Sequence, residues 1–216
     1  MIGVVKKNTV FTIGWAMFLA LCLALLMLGE QGDLIRFFAD NRSVVGDNLF
    51  KYGTLLGEEP AYVIIVILLL FVSIGKAIIT GLTGMIVMIS AYPLKHFFSH
   101  PRPKLFFEDL GELSQLPIVE GVELHGQFTS FPSGHTMSAF ALYGILSLMF
   151  GQKNKAWAFV FISCAILVAL SRVYLMQHFV KDIFFGAILG YLVAIVMYAL
   201  LQRLETYTFM NKRISF

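Results

Sequence analysis

Charge is what this sequence has least of. Asp, Glu, Lys and Arg together make up 13% of its 216 residues, where a soluble domain carries about 25%. Hydrophobic residues supply 58%. That balance excludes an ordinary water-solvated domain and describes a chain solvated by lipid. Cysteine is nearly absent as well: Cys22 and Cys164 both sit in apolar runs, which excludes a disulfide framework or a CxxC metal site and leaves two packing residues. There is no Gly/Ser or Pro-rich linker, no low-complexity tract and no internal repeat, so residues 1–216 read as one domain. The net charge of +3 is scattered over short loops. Without a basic stripe interleaved with aromatics, nucleic acid is set aside as a partner.

What is present is a series of long apolar runs. A helix needs about 20 apolar residues to cross the hydrocarbon core. Val10 to Leu28 meets that standard. Lys6 and Lys7 ahead of it resemble the start of a signal peptide, but the run is too long and Gly29-Glu30-Gln31-Gly32 follows instead of a cleavage signal, so it is read as a retained helix. Further runs cover about Ala61 to Ile74, Ala77 to His96, Met137 to Phe150, Trp157 to Leu170 and Phe179 to Leu201. The expectation is an all-α membrane bundle of six transmembrane helices. Leu34, Ile35, Phe37 and Phe38, after the first span, have the spacing of a helix lying in the interface or of a partner face for the bundle.

Orientation follows from the loops. With the N-terminus inside, Lys6, Lys7, Lys76, Lys153, Lys155, Arg203, Lys212 and Arg213 are cytoplasmic, accompanied by one acid, Glu205. The tight turns at Lys76 and at Gln152 to Lys155 carry the basic density that the positive-inside rule weighs. Both termini are then cytoplasmic. The outer loops are Glu30 to Pro60, Phe97 to Phe131 and a short connection from Arg172 to His178.

Ionisable residues at the ends of membrane helices are functional candidates, and this topology gathers three clusters of them at the outer face: Lys95 to Arg102-Pro103, Pro132-Ser133-Gly134-His135, and Ser171-Arg172 with His178 and Asp182. A phosphoryl group needs fixed cations and N–H donors around its oxygens. Lys95, Arg102 and Arg172 are three cations, the two arginines capable of bidentate donation. Ser133 and Gly134 open the fourth span, where free backbone N–H groups make an anion site. His178 and Asp182, four residues apart on one helix face, let the carboxylate hold one imidazole nitrogen while the other attacks phosphorus. His135, from another helix, can protonate the leaving oxygen and then activate water. No metal and no other cofactor is called for.

These clusters resemble the K-x6-RP, PSGH and SR-x5-H-x3-D motifs of the type 2 phosphatidic acid phosphatase family, which includes bacterial membrane phosphatases and vanadium haloperoxidases. All eleven fixed identities are present, in order, across residues 95 to 182. The resemblance implies a metal-independent lipid phosphatase with a phosphohistidine on His178. It implies His135 as general acid and base, Asp182 orienting His178, and phosphate contacts from Lys95, Arg102, Ser133, Gly134 and Arg172. The implied setting is a bacterial cytoplasmic membrane, with the active site at its periplasmic or extracellular face. The expected partners are a lipid phosphate and the surrounding lipids: a polyprenyl diphosphate, phosphatidylglycerophosphate or phosphatidic acid, with a lipid A phosphate as an alternative.

Other readings stand beside this one. A basic vestibule on six helices also fits a transporter that binds phosphate or anionic lipid without hydrolysis, although no charged path continues through the inner half. A vanadium haloperoxidase shares the motifs, but a site at a bilayer surface favours a lipid. His96 and His100 have an i, i+4 spacing that could bind metal, with no third ligand evident. Gly186 and Gly190 form a small-xxx-small pair suited to close helix packing. The five acids between Glu108 and Glu123 shape access or are merely solvated.

Overall fold

The computed structural model describes residues 8–214; the basic pair Lys6 and Lys7 lies outside them. Among the described residues the chain is helical throughout, without strands. Nine α-helices follow in order: α1 (Thr9–Leu28), α2 (Asp33–Asp40), α3 (Val44–Gly53), α4 (Glu59–Leu70), α5 (Ile74–Phe98), α6 (Pro103–Asp109), α7 (Gly134–Leu146), α8 (Lys155–Tyr174) and α9 (Val180–Leu204). A 3₁₀ turn, Thr54–Gly57, joins α3 to α4, and a π turn, Ser147–Gly151, extends α7.

Helix starts follow from capping chemistry. Ser73 accepts the Lys76 N–H, Ser133 that of Thr136 and Asn154 that of Ala156, so the side chains satisfy donors that the first turn leaves free. Pro60 and Pro103 stand in the first turns of α4 and α6, where their missing N–H costs nothing.

The expected spans return with shifted ends, and six is more than length and apolarity alone support. Four helical segments are long and apolar enough to cross a membrane: α1, α5 running on into α6, α8 and α9. A fifth exists if α3 with its 3₁₀ turn and α4, bent by 56° to each other, count as one broken span. The run from Met137 to Phe150 forms only the 13-residue α7 and the π turn. Every residue from Ala139 to Leu146 is buried, so α7 is the axis of the bundle, wrapped by other helices. Its apolar side chains meet protein, which frees it from the length that lipid contact imposes. The second run is likewise short, because α4 ends at Leu70 and a turn precedes Ile74.

Tight packing on α7 comes from glycine. A Cβ on Gly190 would collide with the Met137 carbonyl oxygen, and one on Gly186 would come within 2.9 Å of the Ser133 carbonyl. The small-xxx-small pair therefore sets how closely α9 approaches α7. Helix α2 lays Ile35 and Ala39 into the bundle, with the Phe38 ring 5.3 Å from Tyr174 of α8, while Phe37 faces outward. The acidic segment is partly engaged: Glu112 pairs with Arg36 of α2 at 2.9 Å.

Candidate active site

All eight residues singled out in the sequence lie at one end of the bundle. Lys95 is in the last turn of α5, and Arg102 caps the start of α6. Ser133, Gly134 and His135 open α7, Arg172 is in the last turn of α8, His178 lies in the five-residue connection to α9, and Asp182 is in the first turn of α9.

The connection is folded back on its own helix: the N–H groups of Gln177 and His178 both donate to the Arg172 carbonyl, at 2.9 and 3.0 Å. This turn places the His178 ring, 1% exposed, against Asp182, 0% exposed. His178 Nδ1 stands 3.4 Å from Asp182 Oδ2, within ion-pair distance but short of hydrogen-bond geometry, and has no other partner. The contact is long, as catalytic pairs often are before substrate binds. The same Oδ2 accepts the Phe179 N–H at 2.9 Å and the Ser130 hydroxyl at 2.5 Å. Asp182 is thus gripped on two sides before it meets the imidazole, and the Asp182 carbonyl accepts the Ser133 N–H at 3.1 Å, joining the start of α9 to that of α7.

Burial holds the His178 imidazole at about 4, below its ordinary range, and the nearby Arg172 and Arg102 push the same way against the pull of Asp182. At neutral pH the ring is uncharged. With Nδ1 turned to Asp182, Nε2 is left carrying the lone pair.

The cations are held by partners that no motif indicates. Arg172 donates from Nη1 to Thr54 Oγ1 at 2.7 Å, while its buried Nε has no hydrogen-bond partner. Arg102 donates from Nε to Thr129 Oγ1 at 3.2 Å and from Nη1 to Gln177 Oε1 at 3.2 Å. Lys95 lies beside Gly134, with Nζ 3.5 Å from where a Cβ would stand, so the ammonium is in contact with the start of α7. Ser133 Oγ accepts from the Thr136 hydroxyl at 2.9 Å, which leaves its own proton to donate.

His135 Nε2 faces Glu58 Oε1 at 3.4 Å. Glu58, Ser130 and Thr54 all escape a motif reading: they reach the site from 52 to 118 residues away, and nothing in their local sequence marks them. Among the described residues, no three His, Cys, Asp or Glu side chains converge as metal ligands would. His96 instead packs against Tyr92, and His100 Nδ1 lies 3.3 Å from Lys181 Nζ.

A cavity of about 570 Å³ is walled by leucines of α1, by Leu34 and Ile35 of α2 and by Phe179 and Val180, with Glu30, Asp33 and Lys181 among its polar residues. None of the eight site residues lines it; Phe179 is the next residue in the chain after His178.

The chain is 40% identical over 76 residues to phosphatidylglycerophosphatase B of Bacillus subtilis, covering 32% of this chain and 37% of that protein. It is 35% identical over 107 residues to a lipid A 1-phosphatase of Rhizobium johnstonii, covering 48% and 40%. These matches span about two fifths of the relatives' own lengths. In fold it resembles the crystal structure of Aquifex aeolicus LpxE, with a TM-score of 0.66 at 24% identity over 78% of this chain and 94% of that one. It also resembles a transmembrane PAP2-type phosphatidylglycerolphosphate phosphatase from Bacillus subtilis, with a TM-score of 0.65 at 20% identity over 91% and 96%. Residues 67–205, well over half of the chain and including every motif residue, match the PAP2 superfamily, and the chain belongs to that superfamily.

Proposed function

We propose that this integral membrane protein is a metal-independent lipid phosphatase that works through a phosphohistidine on His178. The observation that carries the reading is the meeting, at one end of an apolar bundle, of the buried His178–Asp182 pair, at 3.4 Å, with Arg102, Arg172 and Lys95.

The steps balance without a further reagent. His178 Nε2 attacks phosphorus as the bond to the lipid oxygen breaks, and His135 gives that oxygen its proton. Asp182 holds the imidazolium-like ring as the N–P bond forms. A water then gives a proton to His135 and attacks phosphorus, the N–P bond breaks, and inorganic phosphate leaves with His178 restored. Throughout, Arg102, Arg172 and Lys95 meet the charge on the phosphoryl oxygens, and Arg172 Nε is a buried donor that such an oxygen would satisfy. The Ser133 hydroxyl and the N–H groups that open α7 complete the cradle.

A lipid substrate follows from where the site lies. The site sits at one end of a bundle whose helix α1 turns Met17, Leu21 and Met27 outward, and Phe179, next to His178 in the chain, lines a cavity walled by leucines of α1, so a head group at His178 has apolar surface near it for a tail. Two relatives are named for phosphatidylglycerophosphate and lipid A. The substrate proposed first is a bacterial polyprenyl diphosphate or glycerophospholipid phosphate, with lipid A phosphate as the alternative. The proposed topology has six crossings, counting α7 and the bent α3–α4 pair, with α2 at the interface. Both termini are cytoplasmic and the site is at the outer face.

The test is phosphate release by purified protein in detergent with a chelator present, offering a prenyl diphosphate, phosphatidic acid and phosphatidylglycerophosphate. Turnover by wild type and none by His178→Ala supports the reading. Equal release by both overturns His178 as the nucleophile, and binding of lipid phosphate with no release by either favours the non-hydrolytic transporter.

A further inference from the structure

The turn from Thr54 to Glu58 lies ahead of the segment that matches the superfamily, residues 67–205, and contains none of its motifs. It is nevertheless fastened to the site by three separate ties. Arg172 Nη1 donates to Thr54 Oγ1 at 2.7 Å. The Tyr143 hydroxyl, on α7, donates to the Leu56 carbonyl at 2.9 Å. Gly57 lies so close beneath α7 and α8 that a Cβ on it would stand 2.6 Å from Val168 Cγ1 and 3.1 Å from the His135 carbonyl oxygen. Glu58 follows directly, and its Oε1 is 3.4 Å from His135 Nε2.

From this geometry we infer that Glu58 is a positioning residue for the proton-transfer step: its carboxylate accepts from His135 Nε2–H and leaves Nδ1 to exchange the proton with the leaving oxygen and with water. The inference rests on the phosphatase reading and adds a residue to it. The groups that act electrostatically on His135 are Arg172 from α8, Lys95 from α5, Arg102 from the loop before α6 and His178 from the loop before α9. Three of these are cations, and a neighbouring cation works against a second proton on an imidazole. A general acid must carry that proton when the P–O bond breaks. The carboxylate in contact with the ring is Glu58, which offsets the cations and fixes which nitrogen holds the permanent hydrogen. The two histidines are then held through opposite ring nitrogens: His178 through Nδ1 by Asp182, His135 through Nε2 by Glu58. With both side chains about one third exposed, at 33% and 35%, the pair is partly wet until a lipid head group covers it, and covering it strengthens the contact.

The experiment compares wild type, Glu58→Gln and Glu58→Asp on a lipid phosphate and on p-nitrophenyl phosphate, whose leaving group departs without a proton. Glu58→Gln is expected to lower kcat on the lipid by about tenfold or more, to move the alkaline limb of the pH profile to lower pH, and to change by less than about threefold the pre-steady-state burst of p-nitrophenol, which reports phosphorylation of His178 before water is activated. Glu58→Asp recovers part of the lipid rate. An unchanged lipid rate, or a loss in the p-nitrophenol burst equal to the loss on the lipid, overturns the inference, since a merely structural glutamate does not distinguish leaving groups. A second readout needs no turnover. In ¹⁵N-histidine-labelled protein in nanodiscs, with the His135 signal identified by its loss in His135→Asn, the titration midpoint of His135 falls by about half a pH unit or more in Glu58→Gln. A midpoint that stays put sinks the role of Glu58. A midpoint that moves in a protein inert towards every lipid leaves the Glu58–His135 coupling standing and removes the phosphatase reading.

Discussion

At the scale of single residues, the site divides into groups that a spacing rule can find and groups that only packing brings in. The spacing of His178 and Asp182 marks them as a pair, but not through a shared helix face: His178 lies in the connection ahead of α9, and the turn that folds back on the Arg172 carbonyl brings its ring to Asp182. Ser130 is not so marked: it reaches Asp182 Oδ2 from 52 positions away, so no local pattern encodes it. Its hydroxyl and the Phe179 N–H are what aim the carboxylate at the imidazole. Removing it in Ser130→Ala leaves Asp182 one donor short in a buried site. The expected outcome is a fall in kcat of about tenfold with KM little changed, read from steady-state hydrolysis of a lipid phosphate. The pH profile is set at the same scale. In the proposed mechanism His178 attacks only when unprotonated, and burial holds it neutral down to about pH 4. Activity governed by this group is therefore present above that value and lost as pH falls through it, well below the 6.5 of an unperturbed histidine. His135 must be protonated, so kcat/KM falls again on the alkaline side and the profile is bell shaped. An acid limb near 6.5, or a flat profile, contradicts these roles.

Among the helices, the apolar runs were legible and their contacts were not. α1 and α7 are both apolar segments in the sequence, yet α1 exposes Met17, Leu21 and Met27 whereas α7 is buried from Ala139 to Leu146. Hydropathy measures compatibility with lipid and with protein interior alike, so it counts α7 as a span without revealing that it is the core. The glycines carry the missing information. A side chain on Gly190 has no space against the Met137 carbonyl, a backbone atom that cannot swing away. Gly81 of α5 has only Val66 Cγ2 at 3.9 Å before it. Gly190→Ala is expected to destabilise by about 1–3 kcal/mol through overpacking and to displace His135 from Asp182, lowering both thermal stability in detergent and activity. Gly81→Ala is expected to be neutral or to stabilise by up to about 1 kcal/mol, because alanine favours the helix and meets ordinary contact. Equal effects at the two positions would contradict the packing argument.

Considered as a whole molecule, the chain separates its charges by end. The site occupies one end, while Lys76, Lys153, Lys155 and Arg203 lie at helix ends away from it. Their clustering in tight turns is the basis for placing that end in the cytoplasm. The order of helices along the chain could be read from hydropathy, and so could the face that gathers the motifs, since successive crossings alternate direction. Which segments wrap and which are wrapped could not, because that depends on contacts between helices distant in sequence. The resulting sidedness is testable in intact cells with a membrane-impermeant thiol reagent. The native Cys22 is buried and Cys164 lies within α8, so neither presents a thiol to the aqueous phase. Gln115→Cys, exposed in the loop on the side of the active site, should label from outside. Lys153→Cys, exposed in the turn between α7 and α8, should label only after permeabilisation. The reverse pattern would put the histidine pair on the cytoplasmic leaflet and would change which lipid pool the enzyme can reach, while leaving its chemistry intact. Labelling of both positions from outside would mean that α7 and its π turn do not carry the chain across, and the bundle would then have fewer crossings than proposed.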